Sequence, residues 1–207
     1  MKRTPRLSPK KTPKQARARA TYEAILKAGA RILEERGYAA FTTNRVAERA
    51  GVGIASLYEY FPNKESIVAG IVEDVVHELL RDIGKGLDAA RVRTPDEALS
   101  VWIQSMFDAV DQRRKLVTVL VREVPFLHDV PVMRSVRAKL VELSREGSAF
   151  ATDTLAREHL DALTYLLPLM LSHAVVESVV RMPKHLERSA VEQALVFVTR
   201  RVLLTRG

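Results

Sequence analysis

Apolar residues recur along this chain at intervals of three and four, the spacing of helices with one buried face, and no stretch alternates convincingly like a strand. Tyr22, Ile25, Leu26, Ile32 and Leu33 make the first stripe, with Gly29 inside it and Gly37 placed to stop it. Two short helices, 43–50 and 54–61, are separated only by Gly51, Val52 and Gly53. Thr42 is positioned to cap the first of them, and Pro62 with Asn63 ends the second. Asn63 then caps a long helix from Lys64 to about Ile83, whose apolar face holds Ile67, Ile71, Val75 and Leu79. The glycines at 84 and 86 predict a loop that continues to Arg93. Thr94, Pro95 and Glu97 combine an N-cap, a proline at the first helical position and a capping-box glutamate, so a helix to about Gln112 follows. Further helices are expected over 115–124, about 132–154, 158–181 and 187–205. The pattern predicts an all-α protein of about nine helices.

Within 43–62 the spacing is that of a helix-turn-helix. Ala47 is the small residue where the second helix crosses, Gly51 supplies a left-handed turn, and Leu57 anchors the second helix in the core. The outward positions are then Ile54, Ala55, Ser56 and Tyr58, on the part of the second helix that enters a major groove in this motif.

Charge supports that direction. The 207 residues carry 33 Lys and Arg against 25 Asp and Glu, yet the first twenty hold eight basic residues and no acid. Through Lys64 the count is 14 basic to five acidic, and beyond it 19 to 20, so a basic third precedes a near-neutral remainder. With 47% hydrophobic residues the chain can bury a real core, and with no cysteine it has neither disulfides nor a thiol nucleophile. The most apolar run, 163–176, falls short of the roughly 20 residues of a membrane span, and the N-terminus lacks the apolar core of a secretory signal. The expectation is a soluble cytoplasmic protein with no membrane association. Its divisions are a disordered basic arm (1–13), a DNA-binding domain (14–64) and a larger helical domain (65–207).

The stretch FTTNRVAERAGVGIASLYEYFPNKE, residues 41–65, resembles the DNA-binding signature of the TetR (tetracycline-repressor-like) family of bacterial transcriptional regulators. The resemblance covers about 17–76. It departs from the usual pattern at Arg45, where an acid commonly completes a capping box, and in the length of the basic arm. It implies that Thr43 and Asn44 open the first motif helix against DNA, with Arg45 adding charge near a phosphate. It also implies that Ile54, Ala55 and Ser56 face base edges, while Tyr58, Tyr60 and Lys64 hold phosphates. By the same resemblance, a ligand swings the long helix after the motif and changes the separation of two recognition helices.

A single motif makes few base contacts, which predicts a homodimer reading two half-sites of a double-stranded DNA operator. The last two helices offer wide apolar faces for it: Leu163, Leu166, Leu167, Met170, Ala174 and Val179, with Val191, Ala194, Leu195, Val198 and Val202. The family's inducer pocket would draw on Trp102, Met106, Phe107, Leu120, Phe126, Phe150, Tyr165, Met170, His173 and Glu177, giving a small apolar effector. His173 and Glu177, four apart, could present a polar pair to that effector or satisfy each other. An enzyme is disfavoured: there is no Gly-x-Ser-x-Gly, no phosphate-cradling glycine loop, and the five histidines are scattered. Asp74 with His77 has a metal-like spacing but no second ligand pair, so neither metal nor cofactor is expected. The competing account of the larger domain is interaction with a protein partner instead of a small molecule.

Overall fold

A computed structural model describes residues 6–11, 13–148 and 157–204. Among these residues there are nine α-helices and no strand: α1 (Ala16–Arg36), α2 (Thr43–Ala50), α3 (Ile54–Tyr60), α4 (Lys64–Ala90), α5 (Pro95–Asp111), α6 (Arg114–Glu123), α7 (Pro131–Ser148), α8 (Arg157–Arg181) and α9 (Arg188–Leu204). A short 3-10 turn, Leu127–Asp129, separates α6 from α7. The expected continuation of α7 to Thr154 lies outside the described residues. The chain forms two compact units, one of residues 1–76 with 115–133, the other of 77–114 with 134–207.

The first unit is built on α1, α2, α3, the opening turns of α4, and α6. Its centre is apolar: Ile25, Leu33, Phe41, Val46, Leu57, Phe61 and Ile67 are fully buried. Gly29 is a close-approach residue, since a Cβ there would lie 2.9 Å from Ile71 Cδ1 and 3.4 Å from Ile67 Cγ2, so its lack of a side chain lets α4 settle onto α1. Asn63 caps α4 as its sequence predicts. The Ser66 N–H donates to Asn63 Oδ1 at 2.7 Å, and the buried Ser66 hydroxyl returns a bond to the Asn63 carbonyl at 2.7 Å.

The second unit corrects one expectation. The helix α4 does not stop near Ile83 but continues through Gly84 and Gly86 to Ala90, keeping Ile83, Leu87 and Ala90 buried. Gly86 serves as a contact surface instead of a breaker: any Cβ there would collide with the Ser105 side chain of α5. The capping box at the start of α5 is present, with Thr94 Oγ1 accepting from the Glu97 N–H and Glu97 accepting from the Thr94 N–H. The helix α5 packs against both α8 and α9, and these two against each other.

Two arginines hold this unit together. Arg113 donates to Glu78 at 2.8 Å, to Asp82 at 2.7 Å and to the Ala109 carbonyl at 2.9 Å, tying α4 to α5. Arg188, at the start of α9, reaches Asp108, Asp111 and Glu192 and lies over the ring of Phe107, tying α9 to α5. Burial would raise the Asp82 carboxyl, but hydrogen bonds from Arg113 and Lys85 outweigh it and hold the group below its ordinary range. A carboxylate depressed in the folded state adds stability above its unfolded pKa and loses it as pH falls through the folded value. Asp82→Asn is therefore expected to lower the melting temperature at pH 7. Below about pH 4 the difference from the parent should shrink, which thermal melts at a series of pH values would check.

Helix α8 is longer than the apolar run read from the sequence. Its segment Asp161–Arg181 is long and apolar enough, by length and composition, to cross a membrane. The composition has another source here, because α8 carries two apolar faces. Thr164, Leu171, Val175 and Val179 are buried, while Tyr165, Leu166 and Met170 are exposed at 45%, 47% and 63%. Val179, expected on an outward face, belongs to the core.

Candidate nucleic-acid interface

The local sequence builds the helix-turn-helix in the way its residue types require. Thr42 Oγ1 accepts from the Arg45 N–H at 3.3 Å and starts α2. Gly51 ends it at φ 68° and ψ 29°, the left-handed region that a glycine enters without a Cβ clash. The Val52 N–H then returns to the Ala47 carbonyl at 3.0 Å, closing the turn over the buried Ala47. Leu57, fully buried, fixes the rotation of α3. With Leu57 inward, Ile54 and Ala55 are exposed and Ser56 is half-buried at the start of the helix. An ion pair from Arg49 to Glu35 at 2.5 Å secures α2 to α1 and holds the Glu35 carboxyl below its ordinary range.

Several expected contact residues come together. Thr43 Oγ1 and the Tyr58 hydroxyl lie 3.1 Å apart, joining the first turn of α2 to α3 as a pair of hydroxyls suited to a phosphate oxygen. Asn44 is exposed beside them, and the exposed Arg45 donates to the Ala40 carbonyl at 2.6 Å. Two others are placed differently. Tyr60 is buried, 7% exposed, and packs edge-on to Tyr22, so its ring belongs to the core. The reason is register: Tyr60 follows the inward Leu57 by three and so shares its face. Lys64 directs its ammonium over the ring of Tyr38, 4.4 Å from the centroid.

Tyr38 was not singled out by sequence, yet it organises the edge of this unit. Its N–H donates to Glu123 at 2.8 Å, and its ring meets Phe126 edge-on. Burial, then the nearby Glu65 carboxylate, pushes its hydroxyl up to about 12. By sequence Lys10 and Lys11 belong to a basic arm expected to be disordered by itself. Both instead contact the end of α3, Lys10 through two main-chain carbonyls and Lys11 through Glu59.

The expected effector residues divide. Trp102, Met106 and Phe107 lie on α5, the last two fully buried, whereas the buried Leu120 and Phe126 belong to the first unit. Tyr165, Met170 and His173 do not line an interior, being on the exposed side of α8. Glu177 pairs with Arg181 at 3.0 Å, one turn further along α8. Phe150 lies outside the described residues. The indole Nε1 of Trp102 is buried and has no hydrogen-bond partner among the described residues.

Known proteins share these features. The family described as "Bacterial regulatory proteins, tetR family" matches residues 25–71, the span from α1 into α4 that contains the motif. The HTH-type transcriptional repressor KstR2 of Mycolicibacterium smegmatis is 29% identical over 145 residues, 67% of this chain and 69% of that protein. Among solved structures, a TetR-family regulator from Mesorhizobium loti aligns with a TM-score of 0.69 at 13% identity, covering 91% of this chain and 98% of its own. The fatty acid degradation regulator FadR of Bacillus halodurans aligns with a TM-score of 0.62 at 19% identity, covering 93% and 97%. The motif geometry and the matched signature agree: residues 25–71 carry the DNA-binding domain of the tetR family of bacterial regulatory proteins, and the chain has the fold of that family's regulators over nine-tenths of its length.

Proposed function

We propose that this regulator is a repressor that binds an inverted-repeat operator as a homodimer in the bacterial cytoplasm and is released by a small apolar effector. The observation that carries the DNA reading is the outward set on the motif: Ile54, Ala55 and Ser56 for base edges, flanked by the Thr43–Tyr58 hydroxyl pair. Leu57, buried beneath them, gives α3 the fixed orientation that base reading needs. Repression is the role named for the Mycolicibacterium relative.

Dimerisation is supported by the apolar side chains exposed on α8 and α9. Met170 at 63%, Phe197 at 69% and Val198 at 55% are a costly surface for a lone subunit. A two-fold pairing would bury them and place two motifs about one DNA turn apart. On the effector side, a buried N–H without an acceptor costs about 1–3 kcal/mol. An apolar compound bearing one acceptor would satisfy Trp102, and the FadR resemblance makes acyl chains the first probes. To act, the compound must prefer the state that cannot bind DNA, since equal affinity for both states shifts nothing.

Selection of bound duplexes from a random pool tests the reading. The expected product is an inverted repeat with half-site centres about one turn apart, released on adding an acyl compound with a change in emission of the single tryptophan. Enrichment of a lone half-site, or of nothing, would overturn the dimeric operator. A duplex retained in full while the tryptophan reports binding would overturn effector release and favour the protein-partner account.

A further inference from the structure

The basic segment before α1 has a structure of its own. Helix α3 is only seven residues long, and of its last carbonyls Leu57 is satisfied by the Phe61 N–H. Two of the next three, Tyr58 and Tyr60, are satisfied from outside the helix. The Lys10 N–H donates to the Tyr60 carbonyl at 2.7 Å, and Lys10 Nζ donates to the Tyr58 carbonyl at 2.8 Å. Lys11 Nζ pairs with Glu59 at 3.0 Å and stands 5.0 Å from the centroid of the Tyr60 ring. Positive charge at a helix C-terminus is also where the helix dipole favours it. One residue group further out, Arg6 bends back, its guanidinium donating to Ser8 Oγ and to the Pro9 carbonyl, both at 3.4 Å. The segment is thus a strap fastened to the recognition helix, carrying an exposed arginine at its outer end.

Where that arginine stands relative to DNA follows from the helix that holds it. Seven residues of α-helix rise about 10 Å, against a major groove about 12 Å wide. When the N-terminal end of α3 enters the groove, its C-terminal end brings the strap to the groove's rim. Beyond that rim lies the adjacent minor groove. A·T-rich sequence narrows that groove and deepens its negative potential, which attracts arginine. The first twenty residues contain no acid to oppose this.

We propose that residues 6–11 are a second DNA-reading element, in which Lys10 and Lys11 fasten the strap to α3 and Arg6 enters the minor groove flanking each half-site. The proposal rests on the DNA-binding reading and adds to it a preference for A·T flanks outside the contacts of α3.

The test uses the full chain and a duplex carrying the selected repeat with three kinds of flank: A·T, G·C and inosine·C. Inosine lacks the minor-groove amino group of guanine and leaves the major-groove edge unchanged, so it isolates minor-groove reading. Binding is followed by fluorescence anisotropy. The expected result is about tenfold tighter binding on A·T than on G·C flanks, the scale of one favourable base-pair contact, with inosine·C restoring most of the difference. Arg6→Ala should reduce the preference to under about twofold on the same scale while binding to the G·C-flanked duplex persists. Lys10→Ala with Lys11→Ala should do the same, and a thermal melt reports whether that variant keeps its fold. If it does not, the exposed Arg6 variant decides alone. Equal affinity on all three flanks, or a preference that survives Arg6→Ala, overturns the proposal and leaves operator binding standing. Failure to bind the repeat with any of the three flanks would instead count against the DNA reading itself.

Discussion

Phe197→Glu is expected to leave a folded subunit that no longer dimerises. The side chain is 69% exposed, so the substitution removes little from the subunit's own core. The proposed dimer would bury the same residue together with Val198, Val202, Leu166 and Met170, all exposed in the lone subunit. A central aromatic residue of an interface contributes about 2–4 kcal/mol, and a two-fold axis applies each substitution twice. Burying a carboxylate in the same place adds a desolvation cost. The dimer dissociation constant should rise by at least a thousandfold, since about 1.4 kcal/mol corresponds to a factor of ten. Sedimentation at micromolar concentration should show a dimer for the parent chain and a monomer for the variant. Operator affinity should fall with it, because one motif then holds one half-site. A variant that sediments as the parent does would remove these helices from the interface.

The parts of this fold set by local chemistry could be read directly from the sequence. Thr42, Gly51 and Asn63 are capping and turn residues whose action reaches three or four positions along the chain, and the boundaries of α2 agree with them. The capping box at Thr94 is equally local. Gly84 and Gly86 were misread because a glycine that breaks a helix and one that admits a neighbouring helix look the same in sequence. Only the presence of Ser105, nineteen residues on, distinguishes the two for Gly86.

The same limit governs the interface. Ile54, Ala55 and Ser56 could be placed outward because Leu57 fixes the helix phase. The same phase puts Tyr60, three residues after Leu57, on the core side. The strap has no sequence signal: nothing in two adjacent lysines shows that one will bond a main-chain carbonyl and the other a carboxylate 48 residues away. In α8, apolar residues surround most of the helix, so composition alone could not separate the core face of Leu171 and Val175 from the exposed face of Met170.

The junction of α1 with the end of α6 is where one small substitution should cost the most stability. Gly37 ends α1 at φ 70° and ψ 178°, a region open essentially to glycine alone, and forcing a side chain there costs about 1–3 kcal/mol. Space is lacking as well. A Cβ at Gly37 would lie 2.5 Å from Glu123 Oε2, the oxygen that accepts the Tyr38 N–H. Glu123 would have to withdraw and give up that bond, a further loss of about 1 kcal/mol. Gly37→Ala is therefore expected to destabilise the protein by about 2–4 kcal/mol, a fall of roughly 10 °C in melting temperature for a chain of this size. Glu123→Ala separates the two contributions. In the parent it removes the Tyr38 bond, whereas beside Gly37→Ala it also relieves the collision, so the double variant should be less destabilised than the sum of the singles. Strict additivity would show that backbone strain alone sets the cost, and a melting temperature within about 2 °C of the parent for Gly37→Ala would overturn the account of the turn.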